Sequence, residues 1–509
     1  MKARETAVAI LIIILSLGIF SYGRSRLVHL DSAGPAQVHL LTGDEPSYLL
    51  IAHSLVADGD FNLYNNCVAR DGRYFGMKKA GPHAARRDLE KRLIYSIHTP
   101  GLPLLIAPAY ACGLNGPVAP RTAVCLFMNL LGALLAVNVW LFCRDLSRLA
   151  GCASPWPPLL CTAAVVLTPP VIFYANLVYP ELPAALFILY AFRHVFPLAE
   201  SVDPGSLNRG TEEPGKGGRG EGGTSRRCSL RLSGSPAPRL SGSLLLSSLA
   251  IAFLPWLSFR FFLPAFVLAV LLVRRGRAIR STRRWFALSL ALPLLASLAL
   301  FFAYQYRAFC SFSPDAGYVH QHYASWRLSG FRMLDGILGI ALDTGHGILT
   351  WSPVYILSLT GLFLLFHERR PVALWMSVLL LVIYLPAATF VFWWGGFAPP
   401  PRYMVVPSPF LGAALCYALS RKPRAGFLAA CGFLLGISLL VGYLGIKYPD
   451  LLYRHKHLVT HYHIRAIVRL FPSFMHKDMW TWPLAMLWLS VILSLNGFFF
   501  FRWKQLDNS

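Results

Sequence analysis

The sequence predicts an all-α polytopic membrane protein, a bundle of about twelve transmembrane helices. Of its 509 residues, 55% are hydrophobic and only 14% are charged, whereas about a quarter of the residues of a soluble domain are charged. Apolar runs long enough to cross a bilayer recur along the chain. The formal charge is +24, but Lys and Arg concentrate between the apolar runs. That pattern is typical of cytoplasmic loops and not of a nucleic-acid partner.

The first span is predicted over residues 6–22, preceded by Lys2 and Arg4. A cleaved signal peptide is the alternative. The run is long for one and no A-x-A site follows closely, which favours a retained helix with a cytoplasmic N-terminus. Two short runs, 244–257 and 260–273, could instead form a hairpin that does not fully cross. The other predicted spans are 121–142, 157–175, 182–196, 285–304, 349–366, 371–391, 402–419, 425–446 and 480–501.

A long polar segment, residues 23–118, is predicted to form a large outer loop with two interfacial helices. The first helix opens at Asp44-Glu45-Pro46, because proline suits a first helical turn and acids suit a helix N-terminus. The second covers about residues 98–113 and is too short and proline-rich for a span. If it were a span, every later loop would change sides.

Loop charge supports an outer position for this loop. With that orientation the basic residues fall in cytoplasmic loops, and the short outer loops are nearly bare apart from Arg260 and Arg402. All the candidate site residues named below then lie on one face of the membrane. Residues 197–243, part of a Gly-, Ser-, Pro- and Arg-rich stretch, are predicted to be a disordered cytoplasmic linker.

Acidic residues number only 23, so acids in the outer loops are candidates for chemistry. Asp44 and Glu45 could supply a general base; the alternative is capping of their helix. Glu181 lies after Tyr179 and Pro180, at the junction of two spans. An acid at a span end is a functional candidate because it must face the bundle interior. The alternative is an acid that stabilises a helix start.

Basic and aromatic residues of the same loops are candidates for substrate binding. Arg260 and Arg402 lie in aromatic outer loops, where a guanidinium can bind a phosphate through two hydrogen bonds. The alternative is an interfacial anchor. His98 could bond a phosphate or orient a carboxylate, or simply cap a helix. Tyr179 and Tyr403 adjoin these charges, although such aromatics also form interfacial belts.

No metal site is predicted. Histidines group at His320 and His322 and within residues 455–463, but neither group has the partners of a structural zinc site. A basic surface beside anionic lipid explains the second group. The ten cysteines show no regular spacing, which gives no disulfide framework. The absence of a phosphate-binding loop, GxSxG and HExxH argues against ATP-driven pumping, hydrolase and zincin activities.

The order of these features resembles the GT-C superfamily of polytopic glycosyltransferases. These include protein O-mannosyltransferases, lipid A aminoarabinose transferases and the catalytic subunits of oligosaccharyltransferases. In the outer loop, Asp44-Glu45-Pro46-Ser47-Tyr48 opens one helix and His98-Thr99-Pro100-Gly101 the second; Tyr179-Pro180-Glu181 follows two spans later. The transferases often have Lys-Pro-Pro at the second helix. The resemblance covers residues 1–305, taken as a catalytic module, and leaves 306–509 as a C-terminal transmembrane region.

The resemblance implies transfer of a sugar from a polyprenyl-phosphate donor to a glycan, lipid or protein acceptor, at the outer face of a membrane. We expect the bacterial inner membrane, with membrane lipids as further partners. Asp44 inherits the role of catalytic base with Glu45 as fallback, Glu181 shapes the acceptor site, and Arg260 and Arg402 hold the donor phosphate. Transfer would be metal-independent or weakly metal-assisted, so no cofactor is expected and a divalent cation is left open. No large soluble region follows the last span, which disfavours the oligosaccharyltransferase branch.

Two other classes of function stay open at this point. A transporter or flippase for a lipid-linked solute also lines its bundle with acids and arginines, and a non-catalytic assembly protein for envelope glycans is the third candidate. Transporters often contain internal repeats, and no convincing repeat is found. A transferase requires Asp44, Glu181 and an arginine to converge on one outer cavity, whereas a carrier requires polar groups near the membrane centre.

Overall fold

The structure is a computed structural model that describes residues 2–28, 43–75, 83–196, 237–278, 284–320, 330–421, 423–448, 452 and 470–507. The predicted linker up to residue 236, the side chain of His320, His322 and the histidines within 455–463 lie outside the described parts. Residues 237–243 correct the linker prediction. They form the first two turns of the helix Ala237–Leu257, which begins before the most apolar part of that segment.

The described part of the chain is mainly helical, in agreement with the predicted class. Its α-helices, in chain order, are α1 (Lys2–Val28), α2 (Glu45–Ala57), α3 (Tyr64–Ala69), α4 (Gly101–Leu114), α5 (Pro120–Leu149), α6 (Trp156–Leu167), α7 (Val171–Tyr174), α8 (Glu181–Val195), α9 (Ala237–Leu257), α10 (Phe262–Ala278), α11 (Arg284–Phe309), α12 (Ala316–His320), α13 (Gly330–Leu342), α14 (Ile348–Trp351), α15 (Ser358–Glu368), α16 (Arg370–Thr389), α17 (Ser408–Ser420), α18 (Ala425–Lys447) and α19 (Thr481–Asp507). Short 3-10 turns lie at Asp71–Phe75, Phe259–Phe261, Pro353–Leu357 and Arg402–Met404.

Six helices in the described residues are long and apolar enough to cross a membrane: α1, α5, α11, α16, α18 and α19. The other six predicted spans also lie on helices, but these are shorter or broken. The helix at 157–175 ends at Leu167 before Thr168 and a Pro169-Pro170 pair, and the one at 402–419 begins only after Pro407. Proline cannot donate to the preceding turn, so it ends or delays a helix. The count of twelve spans stays a prediction.

The first loop also contains a two-stranded antiparallel hairpin, which the sequence analysis did not predict. Strand β1 (Ala84–Asp88) pairs with β2 (Leu93–Ser96), with Ala84 opposite Ser96. The connection is closed by Asp88, whose carboxylate accepts the backbone N–H of Lys91 at 3.0 Å. Such a side-chain bond is a common means of closing a turn. The hairpin brings His83 and Ile97 together, since the Ile97 N–H donates to the His83 carbonyl at 2.7 Å.

Both predicted loop helices are present as α2 and α4; they pack against each other, and α4 also packs against α5. Helix α2 is not the amphipathic surface helix that its sequence suggests. Nearly every residue from Glu45 to Ser54 is buried, because α4 and the 3-10 turn at Asp71–Phe75 pack against the helix. The N-terminus of α2, where Asp44 lies, is therefore held firmly within the protein.

Candidate active site

Asp44 occupies the N-cap position of α2, directly after a glycine with a left-handed backbone. Gly43 has a φ of 60°, and a Cβ there would come within 2.6 Å of the Tyr179 hydroxyl oxygen. Only glycine meets both demands, the positive φ and the close approach. Gly43 therefore allows Asp44 to lie against the loop that carries Tyr179.

Glu181 is the first residue of α8, and the loop before it is tied to two other parts of the molecule. The Asn129 amide on α5 donates to the Ala175 carbonyl at 2.7 Å. The Tyr174 hydroxyl donates to the Pro399 carbonyl at 2.7 Å. The second bond joins this loop to the segment that carries Arg402.

Arg402 begins a 3-10 turn in the segment between α16 and α17. Gly395 in that segment has a φ of 93°, and a Cβ there would lie 2.9 Å from Cβ of Arg402. The guanidinium also donates from Nη1 to the Gly395 carbonyl at 3.3 Å. Arg260 lies in the 3-10 turn between α9 and α10.

The structure brings these four residues into one continuous chain of ion pairs. Arg402 Nη2 lies 2.7 Å from Asp44 Oδ2, and Arg402 Nε donates to Glu181 Oε1 at 2.8 Å. Arg260 Nη2 donates to the same Glu181 oxygen at 2.7 Å. Arg402 thus bridges two carboxylates, while Glu181 joins two arginines. We call Asp44, Arg402, Glu181 and Arg260 the charged cluster.

Burial makes the charged cluster unusual. The side chains of Glu181 and Arg402 are 1% and 7% exposed, and those of Arg260 and Asp44 are 14% and 19% exposed. Isolated charges at such depth would be very costly, and pairing offsets that cost. Two negative and two positive charges sum to zero in the cluster. The most exposed member, Asp44, is the one through which chemistry can reach solvent.

Two aromatic rings, those of Tyr179 and Tyr403, line the arginines. The Arg402 guanidinium carbon lies 4.7 Å from the ring centre of Tyr179, and that of Arg260 lies 4.5 Å from the ring of Tyr403. Rings at this distance stabilise a desolvated cation through the charge distribution of their faces. The Tyr403 hydroxyl donates to the Phe392 carbonyl at 3.2 Å, which fixes its ring.

The second oxygen of Asp44 faces two histidines. Oδ1 lies 3.7 Å from Nε2 of His98 and 3.8 Å from Nδ1 of His83, and these two nitrogens are 3.2 Å apart. His98 was a candidate from sequence, whereas His83 was not. These three side chains form the group in the described residues whose ligand atoms could surround a metal ion. The sequence had predicted no metal ligands.

The pKa values of Asp44 and His98 are both lowered, which gives the two side chains different charges at neutral pH. Burial alone would raise the pKa of Asp44, but Arg402 and the two neighbouring histidines together outweigh it, and the pKa is lowered. Burial lowers the pKa of His98 to about 4, although Asp44 opposes this shift. At neutral pH, Asp44 is therefore an ionised carboxylate beside a neutral imidazole, as a general base requires.

Glu45 lies outside the charged cluster. Its Oε1 accepts from Arg121 Nε at 2.8 Å, and both side chains are almost fully buried. This pair ties the start of α2 to the start of α5. Neighbouring residues of a helix point about 100° apart, which is why two adjacent acids meet different arginines.

Two tyrosines near His98 were also not predicted. The ring centre of Tyr48 lies 4.8 Å from that of His98, and Tyr318 on α12 lies 6.5 Å from it. Burial raises the pKa of both phenols, so they stay protonated and can donate hydrogen bonds. Their only sequence signal is proximity to the helix starts, which is too common to single them out.

Comparisons with known proteins give structural neighbours only. No protein-family model and no curated protein matches the chain. The archaeal oligosaccharyltransferase AglB from Archaeoglobus fulgidus, in complex with an inhibitory peptide and a dolichol-phosphate, is similar over 85% of this chain and 56% of its own, with 12% identity and a TM-score of 0.45. The apo form of the Archaeoglobus fulgidus oligosaccharyltransferase is similar over 86% and 56%, with 12% identity and a TM-score of 0.45. Its complex with Zn and sulfate is similar over 86% and 52%, with 12% identity and a TM-score of 0.40.

These neighbours are GT-C glycosyltransferases, the superfamily that the sequence resembles. This chain spans about half the length of the structures it matches. Similarity at this level of identity and TM-score does not establish a reaction. The chemistry is argued below from the residues of the site.

Proposed function

We propose that the chain is a GT-C-type membrane glycosyltransferase that moves a sugar from a polyprenyl-phosphate donor to an acceptor. The observation that carries this proposal is the charged cluster, which joins a candidate base to an arginine at the end of an apolar groove. A lipid phosphate needs a cation at the membrane boundary and an apolar path for its tail. The cluster and groove offer both side by side.

The groove lies between α10 and α16 and has a volume of about 390 Å³. Its walls are almost wholly apolar, and it is lined by Phe259, Arg260, Leu263, Leu381, Val382, Leu385, Pro386 and Thr389. This volume is typical of pockets that bind small molecules. Leu263 and Leu381 are about half exposed, so the groove opens to the surroundings of the helices. An isoprenoid chain could enter it from the bilayer.

Arg260 suits the phosphate better than Arg402 does. All three nitrogens of Arg402 are engaged, with Asp44, Glu181 and the Gly395 carbonyl. Arg260 uses Nη2 for Glu181 and lies at the wall of the groove. In this proposal Arg260 binds the donor phosphate, and Arg402 positions the two carboxylates.

The reaction follows from these positions. An acceptor hydroxyl oxygen attacks the anomeric carbon of the sugar, and Asp44 takes the hydroxyl proton. The bond from the anomeric carbon to the phosphate oxygen breaks, and the electron pair leaves with the phosphate. Arg260 stabilises the charge that develops on the leaving group. Glu181 holds both arginines in place beside the acceptor.

We place this chemistry on the outer face of a bacterial inner membrane, because the basic residues favour the opposite side. The proposed catalytic unit draws on both regions of the chain. Asp44, Glu181 and Arg260 belong to residues 1–305, and Arg402 belongs to 306–509. The acceptor, a glycan, lipid or protein, would approach through the exposed side of Asp44.

The test is turnover of a panel of polyprenyl-phosphate sugars by the purified full chain in lipid nanodiscs. We expect one donor to release its lipid phosphate when a suitable acceptor mixture is present. Donor binding without release in every acceptor mixture would contradict the transferase and favour a flippase or assembly protein.

A groove variant tests where the donor lies. Leu385→Trp should fill the groove and weaken donor binding by about tenfold or more, since a bulky side chain would displace the isoprenoid chain from its apolar contacts. Leu374→Trp is the matched control, because Leu374 lies on the same helix, is half exposed and does not line the groove. Equal donor affinity in both variants would place the tail elsewhere.

A further inference from the structure

His83, His98 and Asp44 form a triangle whose sides are too long for ordinary hydrogen bonds to the carboxylate. Asp44 Oδ1 lies 3.7 and 3.8 Å from the two imidazole nitrogens, whereas N–H···O bonds are about 2.7–3.2 Å. The two nitrogens and the oxygen nevertheless all face one another, within 4.8 Å. The two imidazole nitrogens share a hydrogen bond of 3.2 Å with each other and none with the carboxylate. Once that proton is released, all three atoms present lone pairs to one point, as metal ligands do.

The dimensions of the triangle match a metal ion. Its sides are 3.2, 3.7 and 3.8 Å, so the point equidistant from the three atoms lies about 2.1 Å from each, the length of a zinc bond to histidine nitrogen or carboxylate oxygen. The size of the triangle depends on where the backbone places the three residues as well as on their side-chain conformations. The hairpin, α2 and the turn before α4 each supply one ligand.

The backbone around the triangle is tied together by hydrogen bonds. The His83 N–H donates to Ser47 Oγ at 3.2 Å, and the Ser96 hydroxyl donates to the His83 carbonyl at 3.3 Å. The His98 N–H donates to Ser96 Oγ at 3.2 Å. The positions of the three ligands are thus set before any ion binds, as a preorganised site requires.

The proposed function adds a second reason for a cation here. The charged cluster sums to zero, yet the proposed donor is anionic and its leaving phosphate gains a further negative charge. A divalent ion on Asp44 Oδ1 would make the site positive, while Arg402 keeps the other oxygen, Oδ2. The His83 side chain is about half exposed, which leaves the ion an entry path and open positions for water or a phosphate oxygen.

We propose that Asp44, His83 and His98 bind a divalent transition-metal ion of the zinc class. Two imidazoles and one carboxylate suit zinc-like ions, whereas Mg²⁺ and Ca²⁺ prefer oxygen ligands. The site itself stands apart from sugar transfer. Its use as a Lewis acid toward the donor phosphate rests on the proposed function.

The experiment measures metal binding to the full chain without any donor. Protein stripped with a chelator is titrated with Co²⁺, whose visible absorption reports its ligands, and Zn²⁺ is then added as a competitor. We expect one ion per chain to be lost in the His83→Gln/His98→Gln double variant, and each single variant to bind more weakly by about tenfold or more. Because no donor is used, the result is independent of whether the chain transfers sugar.

His346→Gln is the matched control, because His346 is a buried histidine that lies 3.1 Å from Asp343 and is not part of the triangle. It should bind the ion as wild type does. Ions bound by other histidines also bind to the double variant, so the amount bound by the double variant is subtracted from that bound by wild type. The same stoichiometry and absorption in wild type and double variant would overturn the proposal.

Discussion

Asp44→Asn should lower sugar transfer by about 10²- to 10⁴-fold, the range over which a positioned general base contributes. Asparagine keeps the shape of the side chain but has no negative charge, so it cannot take the acceptor proton. Donor binding at Arg260 should be retained, because Asp44 does not line the groove. Single-turnover transfer and donor affinity, measured on the same nanodisc preparation, separate the two effects.

The neighbouring acid supplies the control for Asp44. Glu45→Gln breaks a buried ion pair with Arg121, which typically costs about 3–5 kcal/mol. We therefore expect a lower unfolding temperature with transfer retained, the opposite of Asp44→Asn. Transfer by the Asp44 variant at the wild-type rate would remove Asp44 from the mechanism.

Arg402→Lys should lower transfer by about 10²- to 10³-fold, comparable to the removal of a preorganised charge-stabilising donor. Lysine keeps the positive charge, but its single nitrogen cannot reproduce bonds from Nε to Glu181 and from Nη2 to Asp44. The two carboxylates then lose their common partner, so that Asp44 shifts from its position beside the acceptor. The measurement is transfer at saturating donor.

Arg421→Lys is the matched control for this substitution. Arg421 also donates to a carboxylate, that of Glu368 at 3.1 Å, but it lies beyond the far end of α17, about 20 Å from the start of that helix. It should leave transfer unchanged. Equal losses in the two variants would mean that Arg402 acts only through stability.

The charged cluster was largely accessible from the sequence. Asp44 and Glu181 stand out because the chain contains so few acidic residues. The distribution of charge among the loops then predicts that both lie on the same face of the membrane. The same reasoning selected Arg260 and Arg402 because they are nearly the only bases in the short outer loops. What the sequence could not state is that Arg402 bridges both carboxylates, since that depends on the fold of the segment around Gly395.

His83 was missed for a specific reason. It belongs to a charged stretch without a strand pattern, and only the β1–β2 hairpin carries it to His98. Its contact with Asp44 also requires α2 to be buried, whereas the spacing of apolar residues suggested an exposed face. The choice between Asp44 and Glu45 was likewise beyond the sequence, because the two side chains point to different neighbours. The number of membrane spans could not be determined from the sequence, because prolines divide several of the apolar runs.

Arg402 is the last member of the charged cluster to be synthesised, 221 residues after Glu181. Until it emerges from the ribosome, Glu181 can pair with Arg260, but Asp44 lacks the guanidinium with which it pairs in the complete chain. Domains generally fold as units in the order of synthesis, and this site breaks that order. An N-terminal region inserted in the membrane therefore stays chemically incomplete until most of the chain has been made. In the proposed transferase, competence to react is therefore tied to completion of biogenesis, and truncated chains carry the acids without Arg402 to position them.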